Sequence, residues 1–301
     1  MRVKHRFFIF SLFILYMVLL SAEMMWQGII ISPTRYLFVL LLGGLLVRRA
    51  RTFILDWIPF VFVLVSYDFI RGLVPRLIFE IHFTEMIRFD QRLFHILPTQ
   101  TLQARFFHPN TLAWYDYFGA FIYFFYFILP VAFGFLLYLI RKDYFRQFVT
   151  GFSLLSYAGY LTYILYPAAS PWVAAEAGYI SGVQKVLDFS LKAIFGRGDV
   201  VNIYHSMNPN PIAAIPSMHA ATSFLVLLFA LRFFKLKGLL VLPYVLSLWL
   251  FVVYSGEHYV TDVLVGIIYG LFFYALSAHF LHHINWHHHF NKTRLTRWLN
   301  A

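Results

Sequence analysis

Tyr254-Ser255-Gly256-Glu257-His258-Tyr259-Val260-Thr261-Asp262 joins two apolar runs, residues 238–254 before it and 259–281 after it. A membrane helix needs about 20 apolar residues, or about 17 at the short end. The stretch therefore reads as the turn between two membrane helices. Gly256 breaks the first helix, and a new one starts at Tyr259. His258 and Asp262 are four apart, so at a helix start they share a face. A carboxylate one turn from a histidine holds the ring in one tautomer and raises its basicity, which prepares it as nucleophile or base. The competing reading is plainer: an interfacial histidine, and an aspartate complementing the positive end of a helix.

The rest of the chain supports a membrane setting. Of its 301 residues 61% are hydrophobic and only 12% charged, and the mean hydropathy is +0.71. That composition is that of a polytopic, all-α membrane bundle. With no cysteine, disulfides, thiolate metal sites and thiol chemistry are excluded. The net charge of +11 fits a bias of basic residues to one membrane side, and nucleic acid is not an expected partner. The basic amino end followed by an apolar run reads as a retained first helix, not a cleaved signal.

Eight apolar segments stand out, at 7–22, 28–47, 52–70, 112–140, 144–166, 217–234, 238–254 and 259–281, so the expectation is six to eight spans. The second is the least regular, because Pro33 and Arg35 shorten it. Two connections, 71–111 and 167–216, are long enough to hold interfacial helices. The organisation expected is an N-terminal membrane part over 1–111, a catalytic membrane core over 112–281 and a basic, His-rich tail over 282–301. If the spans alternate, Arg48, Arg49, Arg51, Arg141, Lys142, Arg146, Arg232, Lys235 and Lys237 fall on one side with the basic termini. The positive-inside rule makes that side cytoplasmic, with both termini. The ends carrying Tyr166–Trp172, Pro216–His219 and Gly256–His258 then converge on the extracytoplasmic face of the cytoplasmic membrane.

Pro216-Ser217-Met218-His219 opens a helix, with Ser217 a natural N-cap. His219 then sits in the first turn, where free N–H groups and the helix dipole favour an anion. Taken alone, it is an ordinary interfacial histidine. Two histidines opening two helices on one face, one backed by Asp262, meet the needs of stepwise phosphoryl transfer: one attacks phosphorus, the other protonates the departing alkoxide.

These residues resemble the type 2 phosphatidate phosphatase superfamily. Pro216-Ser217-Met218-His219-Ala220 and His258-Tyr259-Val260-Thr261-Asp262 look most like the branch of inositol phosphorylceramide synthase and sphingomyelin synthase. Pro167 to Trp172 is similar to the proline-tryptophan stretch of bacterial relatives of those enzymes. The resemblance spans roughly residues 89–281 and is sharpest in the two histidine motifs. It implies His258 as nucleophile, Asp262 as its orienting partner and His219 as general acid. It also implies a lipid donor and a lipid or sugar alcohol acceptor, with no cofactor and no metal.

One departure carries information. Phosphatase members have a Lys-x6-Arg-Pro motif and an arginine six residues before the nucleophilic histidine, where this chain has Val252. A phosphomonoester carries nearly two charges and a diester one, so fewer cations point to a diester. The alternative is that Arg105, Lys185 or Arg197 reaches the site from an outer loop and replaces those charges. Further candidates for substrate contact are Ser217, Glu257, Asp116, Tyr115, Trp172 and Asn210, with Asn208 and His205 beside the last. Each also has an ordinary reading as a cap, loop or interface residue. Asp90 and Arg92 read as an interfacial ion pair ahead of a role in catalysis. Asp56 and Asp68 sit at the ends of one span. The cluster from His279 to His289 falls a full span from the catalytic face, where a metal is not expected. The leading expectation is a phosphotransferase acting on a diester-linked lipid headgroup. A lipid phosphate or pyrophosphate phosphatase and a non-catalytic lipid transporter or scaffold are the rivals.

Overall fold

A computed structural model describes residues 3–26, 55–63, 65–66, 80–196, 201 and 211–280. The expected segment at 28–47, Asp68, Arg197, His205, Asn208, Asn210 and the histidines beyond His279 lie outside the described residues.

Helix α1 covers Val3–Trp26. Two short helices, α2 at Glu85–Phe94 and α3 at Pro98–Phe106, lead into the long α4 at Trp114–Ile140. Then come α5 at Lys142–Leu165, the short α6 at Pro171–Glu176 and α7 at Val186–Phe195. After these come α8 at Met218–Phe234, a 3₁₀ turn at Lys235–Val241, α9 at Leu242–Tyr254 and α10 at Val260–Ala275. Among the described residues the fold is all-α. Its only β pairing is a pair of isolated parallel bridges that put Ala168 between His82 and Ala213.

Among the described residues, four stretches are long and apolar enough to cross a bilayer: Trp114–Ile140, Lys142–Leu165, Met218–Tyr254 and Val260–His279. The third is not one straight rod. Trp249 Nε1–H donates to Ser223 Oγ at 3.0 Å, although a continuous helix would separate residues 26 apart by about 39 Å. So α9 folds back along α8, as the sequence pattern of two runs requires. Gly238 sits in the reversal, where a Cβ would come within 2.5 Å of the Ala230 backbone.

The two ends of the bundle differ. At one end, Lys142 meets Asp56 at 3.0 Å, and an aromatic core of Trp57, Phe60, Phe135, Phe145, Phe148 and Phe229 fills the space between α4, α5 and α8. Much of the aromatic excess is thus packing surface. At the other end, the start of α4, the end of α5, the start of α8, the end of α9 and the start of α10 meet. The short helices cover them.

Candidate active site

The turn between α9 and α10 is folded tightly. Gly256 has φ +82°, and a Cβ there would stand 2.9 Å from the Gln184 carbonyl, so glycine is required. The N–H groups of Glu257 and His258 both donate to the Val252 carbonyl, at 3.1 and 3.0 Å. Val252, where the phosphatases place an arginine, therefore anchors the His258 turn by its backbone.

His258 and His219 face one another, with His258 Nε2 3.0 Å from His219 Nδ1. The tautomer of His258 follows from its other nitrogen. Nδ1 lies 2.9 Å from the Ala214 carbonyl, which only accepts, so Nδ1 carries the proton and Nε2 keeps its lone pair. In the neutral pair His219 Nδ1–H donates to that lone pair. The far nitrogen, His219 Nε2, is buried with no hydrogen-bond partner among the described residues. The rings of Tyr123 and Tyr126 pack on His219 at 4.7 and 4.4 Å between centroids.

Asp262 stands where the i,i+4 spacing puts it, but second in line. Its Oδ2 is 3.6 Å from His258 Nδ1 and accepts the Tyr259 N–H at 2.8 Å. Ala214, not Asp262, is the nearer partner of the ring. Its carbonyl is itself positioned: the Ala214 N–H donates to Ala168 O at 3.1 Å, and the Ala168 N–H to Ile212 O at 2.8 Å. The Pro167–Trp172 stretch thereby supports the histidine through one short bridge.

Ser217 is the N-cap, accepting the Ala220 N–H at 3.3 Å; its own N–H donates to the Asp262 carbonyl at 2.9 Å. That bond links the two motifs directly. Glu257 and Trp172 lie beside the turn. The Trp172 N–H donates to Gly256 O at 3.1 Å. Lys185 Nζ sits 4.5 Å over the Trp172 ring, 3.9 Å from Glu257 and 4.0 Å from Asp188. Of the candidate cations among the described residues, Lys185 is the one brought next to the histidine turn. Arg105 is exposed with its guanidinium over Phe106, and no contact joins it to either histidine.

Tyr115 and Asp116 are engaged internally. The Tyr115 hydroxyl donates to Phe106 O at 2.6 Å, and Asp116 accepts the Tyr254 hydroxyl at 2.6 Å and the Ala113 N–H at 2.7 Å. They fasten α4 to α3 and to the end of α9.

Sequence reasoning misplaced Asp90. It forms no ion pair with Arg92; it is fully buried and accepts hydrogen bonds from Val260 and Thr261 at the start of α10. Burial pushes its carboxyl up from the ordinary value, against the pull of those bonds. The other omissions are Ala214 and Gln103, whose buried side-chain amide donates to Gln184 O and Tyr254 O, each at 2.8 Å. Neither has a sequence signal.

Two histidines clasped across the joined ends of apolar helices define an integral-membrane enzyme of the lipid phosphatase and phosphotransferase class. Comparison with known families agrees: the profile described as PAP2 superfamily matches residues 84–276, and the chain belongs to that superfamily. It is also 28% identical over 246 residues to the phosphoinositol dihydroceramide synthase of Bacteroides thetaiotaomicron, covering 76% of this chain and 77% of that one. No solved structure matches the chain.

Proposed function

We propose that the protein transfers a phosphoinositol-type headgroup from a lipid phosphodiester to a ceramide-type alcohol through a phosphohistidine on His258. The observation that carries this is the tautomer of His258. The Ala214 carbonyl accepts the Nδ1–H hydrogen bond, so Nε2 presents its lone pair toward His219.

A phosphoryl group bound between the rings replaces the contact between them. His258 Nε2 forms a bond to phosphorus as the bond from phosphorus to the lipid alkoxide breaks. His219, as imidazolium, gives its Nδ1 proton to the departing oxygen and becomes neutral. The positive charge left on the phosphorylated ring of His258 is balanced by Asp262, 3.6 Å from Nδ1. The acceptor alcohol then returns a proton to His219 and attacks phosphorus, releasing His258. A singly charged diester needs fewer cations than a monoester, which suits Val252 in place of arginine. The headgroup and acceptor follow the name of the Bacteroides relative.

The test is product analysis with purified protein in vesicles containing headgroup-labelled inositol phospholipid and a ceramide. Label is expected in a new sphingolipid, with a base-stable, acid-labile phosphoenzyme, and in neither after His258→Ala or His219→Ala. Label released only as water-soluble inositol phosphate, with none in a sphingolipid, makes water the acceptor and the protein a hydrolase. Unchanged lipid handling by both variants leaves a transporter or scaffold.

A further inference from the structure

Asp90 belongs to α2, far in sequence from the histidines, yet both its oxygens are committed to the first turn of α10. Oδ2 accepts the Val260 N–H at 3.0 Å, and Oδ1 accepts the Thr261 N–H at 2.8 Å and the Thr261 hydroxyl. The opening N–H groups of a helix have no partner within it, and a short polar side chain at the N-cap normally takes one. Here the N-cap is Tyr259, whose side chain makes no capping hydrogen bond. A carboxylate from another helix does the work instead.

That substitution matters because a second carboxylate stands in the same turn. Asp262 holds the Tyr259 N–H with Oδ2 and faces His258 Nδ1, while its Oδ1 is buried without a hydrogen-bond partner among the described residues. Were Val260 and Thr261 left with orphan N–H groups, Asp262 would be the acceptor at hand, and turning to them would draw it from the histidine. The geometry points to Asp90 as a positioning residue for His258. By capping α10 from α2, it leaves Asp262 on the imidazole and fixes the turn that carries the ring. Because Ser217 N–H is bonded to the Asp262 carbonyl at 2.9 Å, the same carboxylate also steadies the start of α8, and with it His219.

The inference rests on His258 performing headgroup transfer, so the assay must separate the two. Transfer is measured per folded, monodisperse protein for wild type, His258→Ala, Asp90→Ala, Asp90→Asn and Thr261→Val. If wild type does not exceed His258→Ala, the transfer reading itself fails. Given that difference, Asp90→Ala is expected to lower kcat about 100-fold with KM changed by no more than about twofold, the signature of misplaced reacting groups. Asp90→Asn, which keeps one carbonyl for Thr261, recovers part of the loss. Thr261→Val, which removes only the hydroxyl bond, lowers kcat by a few-fold and serves if Asp90→Ala does not fold. Unchanged kcat in Asp90→Asn and Thr261→Val, or a loss that appears equally in KM, overturns the assignment.

Discussion

His258 is held from behind by two acceptors of unequal reach, the Ala214 carbonyl at 2.9 Å and the Asp262 carboxylate at 3.6 Å. The nearer one sets the tautomer and the farther one supplies charge. Asp262→Asn should therefore be milder than the loss of a triad carboxylate elsewhere, where a flipped tautomer costs about 10⁴ in kcat. Here the carbonyl keeps Nδ1 protonated, and a fall of about 10²-fold or less is expected, reflecting the lost charge. Transfer kinetics of the purified variant decide it. A loss as deep as that of His258→Ala would mean that Asp262 alone governs the ring. The two histidines and Asp262 were legible in the sequence because helix spacing and motif order place them. Ala214 and Asp90 were not. A backbone acceptor carries no residue signature, and Asp90 meets Val260 across 170 positions that no local pattern spans.

The distance between the histidines is an inter-helix quantity, set by how closely α8 and α10 approach. Gly266 and Gly270 lie one turn apart on α10 and face the start of α8. A Cβ on Gly266 would stand 2.4 Å from the Ser217 carbonyl, and one on Gly270 would stand 2.7 Å from that of Ala221. Small residues at that spacing let helix backbones touch where apolar burial offers no drive, because lipid is as apolar as the core. Gly266→Ala must push the backbone at Ser217 away, and His219 is two residues further on. The expected result is a fall in kcat of about 10- to 100-fold, since catalysis is sensitive to displacements near 1 Å. Transfer assays and thermal unfolding in detergent check it together; a variant with wild-type values in both would contradict the close packing. The helices themselves were readable from apolar run length. Their mutual approach was not, because a glycine in an apolar segment reads the same whether it faces lipid or a neighbouring helix.

At the scale of the molecule, the asymmetry of charge becomes an argument about sidedness. The end of the bundle opposite the histidines carries Arg141, Lys142, Arg232, Lys235 and Lys237 in or beside short connections. The histidine end carries the long connections, folded into α2, α3, α6 and α7. Basic residues in short loops stay cytoplasmic, so we infer that the histidine pair opens on the extracytoplasmic face, toward the outer leaflet. The chain offers a clean way to ask, since it contains no cysteine to give background. Tyr179→Cys would place a single thiol at the histidine end and Leu236→Cys one at the opposite end, both at positions that are exposed, by 52% and 81%. A membrane-impermeant maleimide applied to intact cells should label the first and reach the second only after permeabilisation. The reverse pattern would put the site in the cytoplasm, and the donor and acceptor lipids would then have to be drawn from the inner leaflet.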